Sequence, residues 1–246
     1  MGTEKNIRLS RQDIIDECKL FFFGGQETTS ALFVWAVILL CQNPSWQTPA
    51  REEVLQVFGN NRPDFQGMNQ LEVMTMVLRV LRLYPPVATL NRTTYKKTQL
   101  GTLSLPAGVE VSIPTLLIHQ NKELLGDDAE EFKPERFSVG VSKATKGQSL
   151  FFPFGGGPRI CIGQNFAVME AKIVLSLILQ QFILELSPSY AHAASSVITL
   201  QPQYGVPVIL YKRGKQGWRG QLSFCSSSMK KLGDPFSFHV RPILIF

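Results

Sequence analysis

Apolar residues fill nearly every position from Ala31 to Cys41, and Ser10 with Asp13 three positions on forms a capping box ahead of them. The pattern predicts one long helix from Ser10 to about Gln42, apolar on almost every side and therefore buried. A second helix is predicted from about Pro49 to Phe58, and a third from about Asn69 to Leu83, stopped by Pro85 and Pro86. From Tyr84 to Leu117 short segments alternate around the turn Pro106-Ala107-Gly108, which predicts hairpin strands. Residues 120–153 are polar and broken by Pro and Gly, the mark of a long functional loop. A helix from about Gln164 to Gln181 follows, and then Val197 to Leu200 and Val206 to Leu210 read as a closing hairpin. From Lys212 the chain has neither period nor partner and reads as disordered. The elements sum to a mainly α fold with small β-hairpins (α+β).

Charge first suggests a nucleic-acid or lipid partner, because the 246 residues carry a net +6. Residues 212–246, however, hold seven basic residues and one acid, which is the whole excess. The rest is balanced, so a basic nucleic-acid footprint on the folded part is unsupported. Four scattered cysteines (Cys18, Cys41, Cys161, Cys225) argue against a disulfide framework. The longest strongly apolar run, Ala31 to Cys41, is too short for a bilayer, so no membrane-spanning helix is predicted.

Candidate chemistry centres on Phe154 to Gly163, Phe-Gly-Gly-Gly-Pro-Arg-Ile-Cys-Ile-Gly. Glycines let backbone approach closely, and a cysteine set among them beside an arginine suits a thiolate held against haem iron. A phosphate-binding loop would need Gly-Lys-Ser/Thr or G-x-G-x-x-G, and neither is present. Zinc would need further Cys or His at ligand spacing around Cys161, and covalent haem attachment would need C-x-x-C-H. In the first helix Gly24-Gly25-Gln26-Glu27-Thr28-Thr29 interrupts an apolar span. Glycine there costs roughly 0.8–1 kcal/mol each, so the residues serve either a function or a packing kink that pairs Glu27 with a buried base. His119, His192 and His239 show no triad spacing and read as surface or hydrogen-bonded histidines.

The cysteine loop resembles F-x-x-G-x-R-x-C-x-G of the cytochrome P450 family at Phe154, Gly157, Arg159, Cys161 and Gly163. Gly24 to Thr29 resembles that family's distal-helix signature, and Pro134-Glu135-Arg136-Phe137 its P-E-R-F element. The segment from Leu9 to Tyr211 follows the family's order of elements. Phe151 to Phe154 and Leu186 to His192 are similar to the plant group that contains secologanin synthase. The resemblance implies the C-terminal half of the cytochrome P450 fold at residues 1–211, with 212–246 an unmatched basic tail. It implies haem b (iron protoporphyrin IX) held through Cys161, with Phe154, Gly157, Gly163, Arg159 and a second cation, Arg92, around it; Arg92 reads equally as a surface cation. Glu27 and Thr28 would deliver protons to dioxygen, and Val87 to Leu90 would face substrate.

The implied activity is that of a monooxygenase inserting one oxygen atom from O2 into a small apolar substrate. Electrons would come from NADPH through a flavoprotein reductase, at the cytosolic face of the endoplasmic reticulum membrane, with the membrane anchor of the full-length family outside this chain. One departure stands out. The family's Glu-x-x-Arg reads Arg79-x-x-Arg82, so a buried triad of Arg79, Arg82 and Arg136 is expected with no acid between them, and haem is expected to bind weakly. The rival readings are a truncated, catalytically inactive remnant, arising from a fragment, an alternative start or a decayed gene, and a haem sensor or carrier without turnover.

Overall fold

The computed structural model of the chain describes residues 9–72, 80–137, 150–214 and 218–224. Helix α1 spans Arg11–Gln42 and starts as its sequence dictates, with the Asp13 N–H donated to Ser10 Oγ at 3.1 Å and the Ser10 N–H to Asp13 Oδ2 at 2.8 Å. Burial differs from expectation along its length. Residues 29–40 are mostly buried, whereas residues 11–25 are exposed and present Ile14, Ile15 and Leu20 to Phe23 to solvent. The described elements that pack on α1, namely helices and strands from later in the chain, meet only its second half as a closed core. By length and composition α1 could also cross a bilayer, with a mean hydropathy of 1.3 over its apolar window, contrary to the sequence expectation; half of that window is buried in the fold.

Helix α2, Pro44–Phe58, begins five residues before the predicted start because Pro44, not Pro49, takes the first helical turn, where a missing N–H costs nothing. A short α3, Phe65–Met68, follows, capped by Asp64. The predicted third helix is present at residues 80–83, does not include 69–72, and lies outside the described residues over 73–79. Arg79 is among those.

The hairpin region contains β1 (Leu90–Thr93), β2 (Thr98–Leu100), β3 (Leu103–Leu105) and β4 (Glu110–Ile113), with β2 and β3 nested inside the β1–β4 pair. Gly108 takes φ 83° at the turn between β3 and β4, a conformation that favours glycine. A short helix α4 (Thr115–His119) takes the end of the stretch read as strands, and α5 (Lys122–Leu125) with two 3-10 turns, Asp127–Glu130 and Pro134–Phe137, gives local order to the segment read as coil. Helix α6, Gln164–Gln181, has the predicted bounds.

The C-terminal strands correct the predicted closing hairpin. Strand β8 (Val206–Lys212) pairs with β5 (Phe182–Leu186), while β6 (Ala194–Ser196) pairs with β7 (Leu200–Pro202). Val197 and Ile198 are 92% and 65% exposed, so they form a turn tip and not a strand face. The tail also departs from the expectation of disorder: Arg219–Phe224 forms β9 along the free edge of β8, with Phe224 opposite Val206. Phe224 is buried and meets Phe33 edge-on at 5.7 Å, which gives this part of the tail an apolar partner. The core joins α1, α2, α6 and the β5-β8-β9 sheet around Trp35, whose indole N–H donates to the Leu200 carbonyl at 2.8 Å and whose ring stacks on Tyr84 at 3.9 Å.

Candidate functional site

Phe151 to Gly163 is a loop folded on itself ahead of α6. The Gly155 N–H donates to Phe152 O at 2.9 Å, the Ile160 N–H to Gly157 O at 3.2 Å, and the Cys161 N–H to Phe154 O at 2.9 Å. Two of its glycines are required by the backbone: Gly155 and Gly157 lie at φ 75° and 66°, where other residues are strained. The result holds Cys161 exposed at the apex, two residues before Gly163 caps an 18-residue helix. That places the sulfur at the positive end of the α6 dipole, where an anion is favoured. A Cβ on Gly163 would lie 3.9 Å from the sulfur, in contact with it, so glycine leaves that side open.

The structure brings several predicted residues together. Phe154 packs on the core and anchors the loop. Arg92, on β1, reaches the same loop, with Nη2 3.9 Å from where a Cβ on Gly155 would sit, and its Nη1 donates to Asn91 O at 2.8 Å. Arg159 lies in the 3-10 turn Gly157–Arg159 and is exposed. Glu27 and Thr28 sit on α1, and their described hydrogen bonds lead elsewhere. Glu27 Oε1 accepts from Thr199 Oγ1 at 3.1 Å and from Gln201 Nε2 at 2.6 Å, tying the carboxylate to the β6–β7 hairpin. The Thr28 hydroxyl donates to Gly24 O at 2.7 Å. A Cβ on Gly24 or Gly25 would meet no described atom within 4 Å, so the glycines leave open space beside α1. Sequence reasoning missed Thr199 and Gln201, which sit about 170 positions from Glu27 and carry no local signal.

The arginines behind the loop also differ from expectation. Arg82 is 1% exposed and donates to three main-chain oxygens: His119 O at 3.1 Å, Glu131 O at 2.9 Å and Ala129 O. Burial, with the charge of Arg136 beside it, lowers its pKa to about 10, against an opposing pull from Asp128. Arg136 has an acid after all: its guanidinium bonds the Asp128 carboxylate and donates to Leu125 O at 2.9 Å. Burial raises the Asp128 pKa, but hydrogen bonds from Arg136 and Lys133 outweigh that and hold it below the usual carboxylate value. The expectation of Arg82 and Arg136 facing each other without an acid is therefore corrected. A planar fork can be satisfied by carbonyls, and Asp128 supplies the counter-charge from a segment read as coil.

Loop, cations and helix order all match one pattern, and a family model described as Cytochrome P450 matches residues 1–204. The chain belongs to the cytochrome P450 family. It is 58% identical over 212 residues to 11-oxo-beta-amyrin 30-oxidase of Medicago truncatula, covering 86% of this chain and 40% of that protein. Against Cytochrome P450 72A397 of Kalopanax septemlobus it is 59% identical over 210 residues, covering 85% of this chain and 40% of the relative. For Cytochrome P450 72A13 of Arabidopsis thaliana the figures are 58% over 213 residues, 86% and 42%. The chain thus spans about two fifths of the length of the curated relatives it matches. Cytochrome P450 proteins bind haem b. The donor set fits that group: an open, exposed sulfur for iron, and two arginines suited by charge to its carboxylates.

Proposed function

We propose that this chain carries the haem-thiolate site of a monooxygenase that inserts one oxygen atom of O2 into an apolar organic substrate. The observation that carries the reading is Cys161, exposed at the apex of a loop braced by its own backbone at the positive end of α6. Electrons would come from NADPH through a flavoprotein reductase, and the full-length protein would sit at the endoplasmic reticulum membrane. Because two relatives are named 11-oxo-beta-amyrin 30-oxidase, 11-oxo-beta-amyrin is the first substrate to test.

Each residue has a defined part. Cys161 supplies the thiolate, and the bond from its N–H to Phe154 O fixes where the sulfur points. Arg159 and Arg92 would hold the carboxylates of haem b, and Phe154 would pack beside it. When bound, haem b supplies the oxygen-activating redox chemistry, which cysteine ligation favours. Glu27 holds and releases a proton at its carboxylate, whose Oε1 the Thr199 hydroxyl and Gln201 amide orient. The Thr28 hydroxyl donates to Gly24 O, one turn back on the same helix, where the two glycines leave open space.

One observation favours the second reading, an inactive remnant. The first half of α1 exposes Ile14, Ile15 and Leu20 to Phe23 next to Gly24 and Gly25, so the described residues do not enclose that side of the site or exclude water from it. The readings part on turnover. Haem-loaded chain should show NADPH-dependent oxygen uptake with reductase and substrate if it is a monooxygenase, and none if it is a remnant.

A further inference from the structure

We infer that His119 is a positioning residue for the cysteine loop: its Nε2 accepts the Phe152 N–H, and this bond fixes the root from which Phe154 O holds the Cys161 N–H. The inference rests on the reading of Cys161 as the thiolate ligand. His119 ends α4 and is fully buried. The Phe152 N–H reaches its Nε2 at 3.0 Å, and the imidazole packs against the rings of Phe151 and Phe152 at 5.2 and 5.1 Å. Its own main chain is held from behind, because Arg82 Nη1 donates to His119 O at 3.1 Å. From Phe152 the path to the sulfur is short. Phe152 O accepts the Gly155 N–H at 2.9 Å, closing one turn, and Phe154 O accepts the Cys161 N–H at 2.9 Å, closing the next.

A partly buried N–H that loses its acceptor is costly wherever water cannot replace it, so Phe152 is served by a lone pair at this place. An imidazole offers one only when uncharged. Burial, partly offset by the Leu81 backbone and reinforced by the Arg82 charge, lowers the His119 pKa to about 4, which keeps that lone pair free at neutral pH. The histidine thus links the arginine cage on one side to the cysteine loop on the other. A purely structural core histidine would support all its neighbours alike. A positioning residue acts selectively on Phe152 and Cys161.

The test is residue-resolved amide hydrogen exchange on the full chain, comparing the parent with His119→Met, His119→Asn and His119→Gln. Methionine fills space with a poor acceptor, and asparagine has an acceptor that stops short of the Phe152 amide. Glutamine carries an oxygen about as far from the backbone as Nε2. In His119→Met, or in His119→Asn should the first not fold, exchange at Phe152 and Cys161 should rise about tenfold or more, the scale of one lost hydrogen bond. Exchange at Leu175 and Leu179 in the core should change far less, and His119→Gln should restore protection at both loop amides. Unchanged Cys161 exchange, an equal rise at every amide, or no rescue by glutamine would each overturn the inference. A reduced-carbonyl spectrum of Cys161→Ser, recorded in parallel, separates the two claims. If that variant keeps the parent's haem spectrum, the thiolate reading fails whatever the amides do; if it loses it while loop exchange is indifferent to residue 119, only the positioning role fails.

Discussion

Replacing Arg82 with methionine should destabilise the fold by about 3 kcal/mol. The figure follows from what the guanidinium does. Three main-chain oxygens, of His119, Ala129 and Glu131, take their protons from it in a region that is almost fully buried. A buried carbonyl left without its donor costs about 1–3 kcal/mol, so losing all three costs roughly 3–9 kcal/mol. Against this stands the cost of burying the cation. A pKa lowered from 12.5 to about 10 corresponds to about 3 kcal/mol at 1.36 kcal/mol per unit. Methionine preserves much of the stem's volume but leaves the carbonyls unpartnered. Lysine keeps the charge and cannot span three oxygens with the same planar fork, so Arg82→Lys should fall between methionine and the parent. Urea denaturation followed by tryptophan fluorescence, to which Trp35 stacked on Tyr84 contributes with Trp46 and Trp218, measures the loss directly. An unfolding free energy for Arg82→Met within about 0.5 kcal/mol of the parent would refute the carbonyl cage as a stabilising device.

Other consequences follow from the same geometry. His119, uncharged in the fold with a pKa of about 4 against 6.5 when unfolded, contributes stability that is complete above about pH 6.5 and is lost as pH falls toward 4, because the unfolded chain binds the extra proton. The loss should approach about 3 kcal/mol, and His119→Gln should flatten that part of a stability-versus-pH curve. The Arg82 guanidinium bonded to the His119 carbonyl does not titrate in this range, so its charge stays constant through the transition. Gly155→Ala, at φ 75° and with its new Cβ 3.6 Å from Arg159 O, should cost about 1–2 kcal/mol and speed amide exchange in the cysteine loop. Truncation after Arg213 removes β9 and the buried Phe224, and should lower stability by at least the ~1.5–3 kcal/mol of one buried aromatic; an unchanged urea midpoint would show that β9 does not hold the sheet.

Local signals carried some of this architecture and long-range ones did not. The Ser10–Asp13 box and the run to Gln42 are written within one helix, and the bounds of α6 follow from its own apolar period after Gly163. The cysteine loop was legible because its glycines, arginine and cysteine stand at fixed spacing within ten residues, and Gly155 and Gly157 do take positive φ there. Strand pairing was less accessible. Val206–Lys212 is apolar enough to pair with many segments, and only the three-dimensional packing selects Phe182–Leu186 on one side and Arg219–Phe224 on the other. The arginine site was misread for a related reason. Carbonyl groups are invisible in a residue-type pattern, so a guanidinium satisfied by main chain looks like an unpaired charge. Asp128 was hidden in a segment without period, and Thr199 and Gln201 approach Glu27 from the far end of the chain.

The account stands most directly on Cys161 as the ligand of haem iron. The measurement is the carbonyl-bound, reduced spectrum of the chain reconstituted with haem b, beside Cys161→Ser. A strongly red-shifted Soret band in the parent that is lost in the variant is the predicted result, since only thiolate ligation produces that shift. A conventional haem band in the parent, or a spectrum indifferent to the serine substitution, would contradict it.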